Sequence, residues 1–288
     1  MKMEQHKVRI SVVIITLNEE KNLPYALRSV RPWADEIIVV DMHSEDRTVE
    51  IAREFGAKVF LHERVGFVEP ARAYAVTYAT AEWILMLDGD EVLPALLSRY
   101  LKRIADDDRA DIVMIPRLNY LLGAPLLHSG WGPEQDKHFR FFKRGMIEIP
   151  SKIHGNMNPV PGARVLQLAY QPGMAVVHFT YVDAWQFLER LNRYTAIEAQ
   201  QASERGERAS AWRALYWAIR EFLSRYVLKQ GYRDGWRGFY LSGLMAMYRW
   251  VTYAKLQELK STGGRKATLD SYKHEAEQVI AGYGAGRE

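Results

Sequence analysis

Asp88 and Asp90 flank a single glycine at the end of the apolar run Trp83-Ile84-Leu85-Met86-Leu87, and Glu91 follows directly. Carboxylates delivered to the end of a buried strand are costly to desolvate unless something cationic meets them. Two hard oxygen ligands around Gly89, which lets backbone or ligand come close, suit Mg²⁺ or Mn²⁺ better than a soft metal. A metal held this way can carry a diphosphate. Asp-Gly is also a common turn dipeptide, so the same residues read equally as a strand ending in a polar turn.

Two further strand-to-loop transitions accompany this one. Ile10 to Ile15 is apolar and leads into Thr16-Leu17-Asn18-Glu19-Glu20-Lys21-Asn22; Glu36 to Val40 leads into Asp41-Met42-His43-Ser44-Glu45-Asp46-Arg47-Thr48. Three strands ending in acidic loops describe one crevice, the place where open α/β sheets bind ligands. The intervening segments have helical spacing. Leu23, Ala26, Leu27 and Val30 share a face over 22–30 with Pro24 near the start, and Val49, Ile51, Ala52 and Phe55 do so over 48–55 before Gly56. A short strand at 58–61 and a helix over 70–79 complete a β-α-β-α-β order. The fold class is therefore α/β: a nucleotide-binding, mainly parallel sheet with helices on both faces.

A dinucleotide-binding dehydrogenase would place a Gly-rich turn after its first strand. Here that turn holds no glycine and two acids, so phosphates are not cradled there. Any nucleotide charge must be met by the carboxylate cluster and its metal.

The three blocks, Thr16 to Glu20, Asp35 to Asp41 with Ser44, Asp46, Arg47 and Thr48, and Asp88-Gly89-Asp90, resemble the inverting family-2 glycosyltransferases of the glycosyltransferase-A fold. Among these the chain is most similar to the lipopolysaccharide core β-glucosyltransferase type, with the order and spacing of the blocks matching over roughly the first hundred residues. The resemblance implies that Thr16, Asn18 and Glu19 line a nucleoside pocket and that Asp41 binds the uracil or ribose. It further implies that Asp88 faces the ribose or the metal-bound phosphate and that Asp90 ligates the metal. Asn18 and Glu19 read equally as a helix cap with acids in the first turn, and Ser44 and Asp46 as the cap of the second helix. Met174 to Tyr181 is another apolar strand, and in the resembled family a histidine in the setting of His178 completes the metal site or contacts the diphosphate. The alternative for His178 is a core histidine satisfied by a backbone carbonyl.

The implied chemistry is a single displacement, with an acceptor hydroxyl attacking the anomeric carbon as the nucleoside diphosphate leaves. It demands a carboxylate on the acceptor side to remove the hydroxyl proton. After a strand expected over 111–116, Trp131 to Arg144 is rich in acids, bases and aromatics, and Glu134 and Asp136 are its candidate bases; Glu148 and His154 stay open. The resemblance continues through Arg140-Phe141-Phe142, after a longer spacing from Pro133 than usual, and through Lys152-Ile153-His154. Related sequences often follow that histidine with glutamate, where this chain has Gly155. Any of these acids can equally be solvated loop charge.

With 288 residues and 48% hydrophobic content, the chain can bury a substantial core. The absence of cysteine excludes a disulfide scaffold and thiolate metal sites and is compatible with the cytoplasm, and no secretory signal is evident. The expected organisation is a catalytic domain over 1–182 and a helical region over 183–288, with a flexible tail from Ser261. Positive charge concentrates in the second part: Ala211 to Lys255 holds eight basic and two acidic residues among many aromatics. Trp212, Leu215, Tyr216, Ile219, Leu223, Tyr226 and Val227 recur at helical spacing. They read as a helix packed on the catalytic domain or as an interfacial helix attracted to anionic lipid. Gly238 to Tyr248 is uncharged but, at about ten residues, well short of a span. No nucleic-acid-reading motif is present, so nucleic acid is not an expected partner.

The combined expectation is a hexosyltransferase dependent on Mg²⁺ or Mn²⁺. It would move glucose from UDP-glucose onto a membrane-associated glycan, peripherally at the cytoplasmic face of the inner membrane. A polyprenyl-phosphate glycosyltransferase and a non-catalytic nucleotide-sugar sensor are the alternatives.

Overall fold

The protein is described by a computed structural model covering residues 9–64, 68–150 and 157–281. Strands β1 (Ile10–Thr16), β2 (Glu36–Asp41), β3 (Lys58–Leu61) and β4 (Trp83–Asp88) alternate with helices α1 (Leu23–Val30), α2 (Thr48–Glu54) and α3 (Glu69–Val76). β5 (Glu91–Val92), α4 (Ala95–Asp106), β6 (Ile112–Leu121), β7 (Ala124–Pro125), β8 (Lys137–Lys143), β9 (Ile147–Glu148), β10 (Asn158–Pro159), β11 (Val165–Gln167) and β12 (Val176–Tyr181) follow. Four helices close the chain: α5 (Ala184–Glu204), α6 (Ala211–Leu223), α7 (Gly235–Thr262) and α8 (Arg265–Ala281). The helix expected over 70–79 thus starts one residue earlier and stops at Val76, and the strand expected to end at Pro116 runs on to Leu121.

The ten-stranded sheet has the order β3-β2-β1-β4-β8-β6-β12-β5, with β7 and β11 paired to β6. β3, β2, β1 and β4 are mutually parallel, whereas β8 runs antiparallel to both β4 and β6. Alternate residues of the parallel strands feed two apolar layers. Val12, Ile14 and Leu85 pack with Leu23 and Leu27 of α1, Ile51 of α2 and Leu101 of α4. Val13, Ile15 and Met86 pack with Ala71 and Ala75 of α3. A sheet covered on both faces explains why its strands read as continuous apolar runs.

Glu36 fastens the edge of the sheet opposite the acidic loops. Its carboxylate accepts from Ser11 Oγ at 2.6 Å, Lys58 Nζ at 2.7 Å and Thr80 N at 2.9 Å, and Ser11 Oγ in turn accepts from Ala81 N. The starts of β1, β2 and β3 and the lead into β4 are joined through this buried side chain. Despite the cost of burial, these donors lower its pKa to about 2.

The chain divides into two compact units, the boundary falling after Thr180 and the second unit also taking in His128–Gly130. Within the second, α5 is N-capped by Asp183 and α6 by Ser210, each side chain accepting from the backbone N–H three residues on. α7 packs against α5 and α6, and Leu256 of α7 is buried with Ala199 and Ala202 of α5. From Ser261 on, α7 runs to Thr262 and α8 occupies 265–281 with none of its side chains buried. Among the described residues no helix is long and apolar enough to cross a membrane.

Candidate functional site

The parallel register sets the C-terminal strand ends side by side, Thr16 opposite Asp41 and Ile15 opposite Asp88. The loops after β1 and β2 are stitched to each other. Asn18 N donates to Ser44 Oγ at 2.7 Å, Glu19 N to Thr48 Oγ1 at 2.7 Å and Glu20 N to Asp46 Oδ2 at 3.1 Å, while Glu45 N donates back to Asn18 Oδ1. Ser44 and Asp46 therefore bind the neighbouring loop. Arg47 occupies the N-cap position of α2 without a capping side chain, and Asp46 Oδ1 accepts from the first helical N–H, Thr48 N, at 3.0 Å. Asn18 and His43 both hold left-handed backbone, φ +56° and +59°, which asparagine tolerates well and histidine less so.

Asp41 is wholly buried. Its Oδ1 accepts from Ser44 N at 2.8 Å, and its Oδ2 accepts from Ser44 Oγ at 2.5 Å and Thr16 Oγ1 at 3.1 Å. Gly89 lies against the first loop, because a Cβ there would meet Glu19 Cγ at 2.9 Å and Thr16 Cγ2 at 3.1 Å. The central position of Asp-Gly-Asp is small because the β1 loop occupies its side-chain space.

The three carboxylates that follow β4 have different surroundings. Asp88 receives Arg72 Nη2 on both oxygens at 2.8 Å and Arg140 Nη2 at 3.2 Å. Burial pushes its pKa up, but the guanidiniums of Arg72 and Arg140 hold it well below the usual carboxylate range. Glu91, with no exposure, takes Arg140 Nη2 at 2.6 Å on one oxygen and the backbone N–H of Asp88 on the other; Arg117 Nη1 lies 3.6 Å away. The cation demanded by buried acids is, for these two, arginine. Arg140 is nearly buried itself, and although burial lowers its pKa, Glu91 and Asp88 raise it above the ordinary arginine value.

Asp90 is placed differently. β12 pairs with β5 so that His178 lies opposite Glu91, and Phe179 N donates to the carbonyl of Asp90. This brings His178 Nε2 to 3.4 Å from Asp90 Oδ2, both side chains being about nine-tenths buried. Asn119 of β6 orients the ring. Its Nδ2 donates to Trp131 O and Asp136 Oδ2, which leaves Oδ1 as an acceptor 2.6 Å from His178 Nδ1. In a neutral ring the proton therefore sits on Nδ1 and the Nε2 lone pair faces the Asp90 carboxylate. His178 is satisfied by a side chain, not by the backbone carbonyl that a core histidine was expected to use. An imidazole nitrogen and a carboxylate oxygen turned toward each other, with the far ring nitrogen anchored, is a donor set that fits Mg²⁺ or Mn²⁺. Among the described residues no third His, Asp or Glu joins them.

The segment carrying the candidate bases is half strand. Lys137–Lys143 form β8, wedged between β4 and β6, with Arg140, Phe141 and Phe142 buried and the Phe141 ring stacked 4.4 Å from that of Trp83. Asp136 accepts from Arg117 Nε at 2.9 Å, Asn119 Nδ2 at 2.6 Å and His138 Nε2 at 2.7 Å. Burial raises its pKa, but His138 and Arg117 bring it below the usual range. Glu134 pairs with Lys137 at 2.7 Å and accepts from Tyr170 N; Lys137 lowers its pKa as well. Both acids are ionised at neutral pH and weakly basic. Glu148 lies in the β9–β10 hairpin, and His154 falls outside the described residues. Arg72, Arg117 and Asn119, which tie the site together, were not singled out by the sequence.

Residues 11–164, more than half of the chain, match the sequence profile described as Glycosyl transferase family 2. A glycosyltransferase of Rickettsia bellii is 27% identical over 87% of both chains. The lipopolysaccharide core biosynthesis glycosyltransferase LpsC of Rhizobium meliloti is 26% identical over 93% of this chain and 99% of its own. The solved structure of S. aureus TarS 1–349 in complex with UDP-GlcNAc covers 89% of this chain and 93% of its own, with 13% identity and a TM-score of 0.47.

Proposed function

The chain belongs to glycosyl transferase family 2, and from that premise we propose that it is a metal-dependent inverting hexosyltransferase. Its donor is UDP-glucose and its acceptor a membrane-associated glycan of the lipopolysaccharide core kind. The observation that carries the metal reading is the Asp90–His178 pair, with the imidazole tautomer set by Asn119. The likeness to LpsC over nearly its whole length supports the acceptor class. Asp90 and His178 would hold a divalent cation, Mg²⁺ or Mn²⁺, which when bound supplies positive charge against the leaving diphosphate. Thr16, Asn18, Glu19 and Asp41 would line the nucleoside, with Asp88 held beside it by Arg72 and Arg140. Glu134 or Asp136 would take the proton of the attacking hydroxyl. The exposed aromatics of α6 and α7 would rest on the cytoplasmic membrane surface.

The test is donor binding followed by turnover. UDP-glucose with Mn²⁺ should raise the melting temperature of the full chain and, with a lipopolysaccharide-core acceptor, release UDP. Asp90→Asn should keep the apo melting temperature and lower turnover by about 10²-fold or more, since several kcal/mol of charge stabilisation are at stake. A full-length chain that no nucleotide sugar stabilises, or an Asp90→Asn variant of undiminished activity, overturns the reading.

A further inference from the structure

Arg72, Arg117, Lys137 and Arg140 line one cavity of about 520 Å³, together with His138 and a single carboxylate, Glu69. They come from α3, β6 and the first half of β8. Their partners stand outside the lining: Asp88 holds Arg72 and Arg140, Glu91 holds Arg140, Asp136 holds Arg117, and Glu134 holds Lys137. The carboxylates fix the cations from behind, and the wall left facing the cavity is positive. Arg72 has a donor to spare. Its hydrogen bonds all leave from Nη2, and its Nε is buried with no partner among the described residues. Such an atom is destabilising until a ligand supplies an acceptor. His138 registers the same field: burial, then the guanidiniums of Arg117 and Arg140, lower its pKa against the pull of Asp136.

We infer that this cavity receives an acidic substituent, a phosphate or a carboxylate, carried by the acceptor sugar, so that the enzyme selects an anionic glycan. The inference rests on the transferase reading above and adds to it the charge of the acceptor. Arginine forks and a lysine ammonium are the groups that recognise such oxyanions, and an enclosed wall strengthens the contact. The same short segment carries Glu134 and Asp136 beside Lys137 and His138, so an acidic group anchored here brings its own sugar to the candidate bases. A donor diphosphate is the rival source of negative charge. Neither Asp90 nor His178 belongs to the cavity lining.

The experiment saturates the full chain with UDP and Mn²⁺ and titrates it calorimetrically with glucose 6-phosphate or glucuronate, using glucose as the neutral control. Either acidic sugar should bind at least about tenfold more tightly than glucose while UDP is in place, the value of one charge-assisted contact. Lys137→Gln should remove most of that preference and leave UDP affinity within about twofold. Acidic sugars that bind no better than glucose, or that UDP displaces, overturn the inference, the second result assigning the cavity to the donor. A folded variant that keeps the full preference overturns it too. Failure of UDP to bind at all in the first step counts against the transferase reading instead, and titration without UDP then tests the cavity by itself.

Discussion

Asp88, Asp90, Glu91 and His178 illustrate what a local pattern can reveal. Asp88 and Asp90 were legible because the signal is contiguous, an apolar strand followed by carboxylates around a glycine. The groups that give each carboxylate its character were not. Arg72 lies 16 residues from Asp88, Arg140 lies 49 from Glu91, and Asn119 lies 59 from His178. No spacing rule connects residues that only strand order brings together. Asn119 leads to a prediction at this scale. Asn119→Ala removes the acceptor that keeps the proton on Nδ1, so the ring can turn or take the other tautomer. If His178 ligates the metal as proposed, Mn²⁺ affinity in the presence of UDP should fall about 10- to 100-fold, the usual loss when a residue orienting a ligating histidine is removed. Calorimetric titration of Mn²⁺ checks this, and UDP affinity without metal should stay as it was. Unchanged Mn²⁺ affinity would remove Asn119 from that role.

At the level of strands and helices, the β-α alternation through β4 could be read almost residue by residue, because each helix shows its apolar face and each parallel strand is a short apolar run. The antiparallel half could not. β8 is inserted between β4 and β6, and its sequence Lys-His-Phe-Arg-Phe-Phe-Lys mixes charge and aromatics as a binding loop would. Its place is decided by the stacking of Phe141 on Trp83 and by Arg140 meeting Glu91 and Asp88, both long-range events. Glu36 likewise looked like an ordinary polar strand start, yet it ties four segments together. Its depressed pKa fixes the sign of a pH effect. A carboxyl with a folded value of about 2 against 4.5 adds stability above pH 4.5 and loses it as pH falls toward 2. Glu36→Gln should therefore cost on the order of 3 kcal/mol at pH 7. The gap from wild type should close between pH 4.5 and 2 in denaturant titrations. A pH-independent gap would mean that shape, not charge, makes this clamp.

For the whole chain, the basic, aromatic composition of the C-terminal part reads either as a helix packed on the catalytic domain or as an interfacial helix, and the exposure of its side chains frames a test of the second. Ala214 of α6 is buried, whereas Trp212, Tyr216, Ile219 and Leu223 are exposed at helical spacing, with Trp212 81% accessible. On α7, Trp236, Phe239 and Tyr240 are exposed as well, and Arg220 and Arg237 sit 4.7 and 4.4 Å from the rings of Trp217 and Trp236. Aromatics with stacked arginines are suited to an anionic bilayer surface. Vesicles containing anionic phosphatidylglycerol should sediment the protein and neutral ones should not. Trp212→Ala with Tyr216→Ala should weaken binding about tenfold or more, given the apolar area removed. Equal recovery with both kinds of vesicle would exclude charge-guided attachment. The arginines at the other end of the chain's charge balance carry their own consequence. If Asp90 and His178 hold the cation as proposed, a lone Mn²⁺ arriving from solution finds no third His, Asp or Glu beside them among the described residues, Asp88 and Glu91 being paired with arginines, and that is too few partners to detain it. Metal and nucleotide should then come and go as a single cargo, and the resting enzyme should ignore chelators that halt it in mid-cycle.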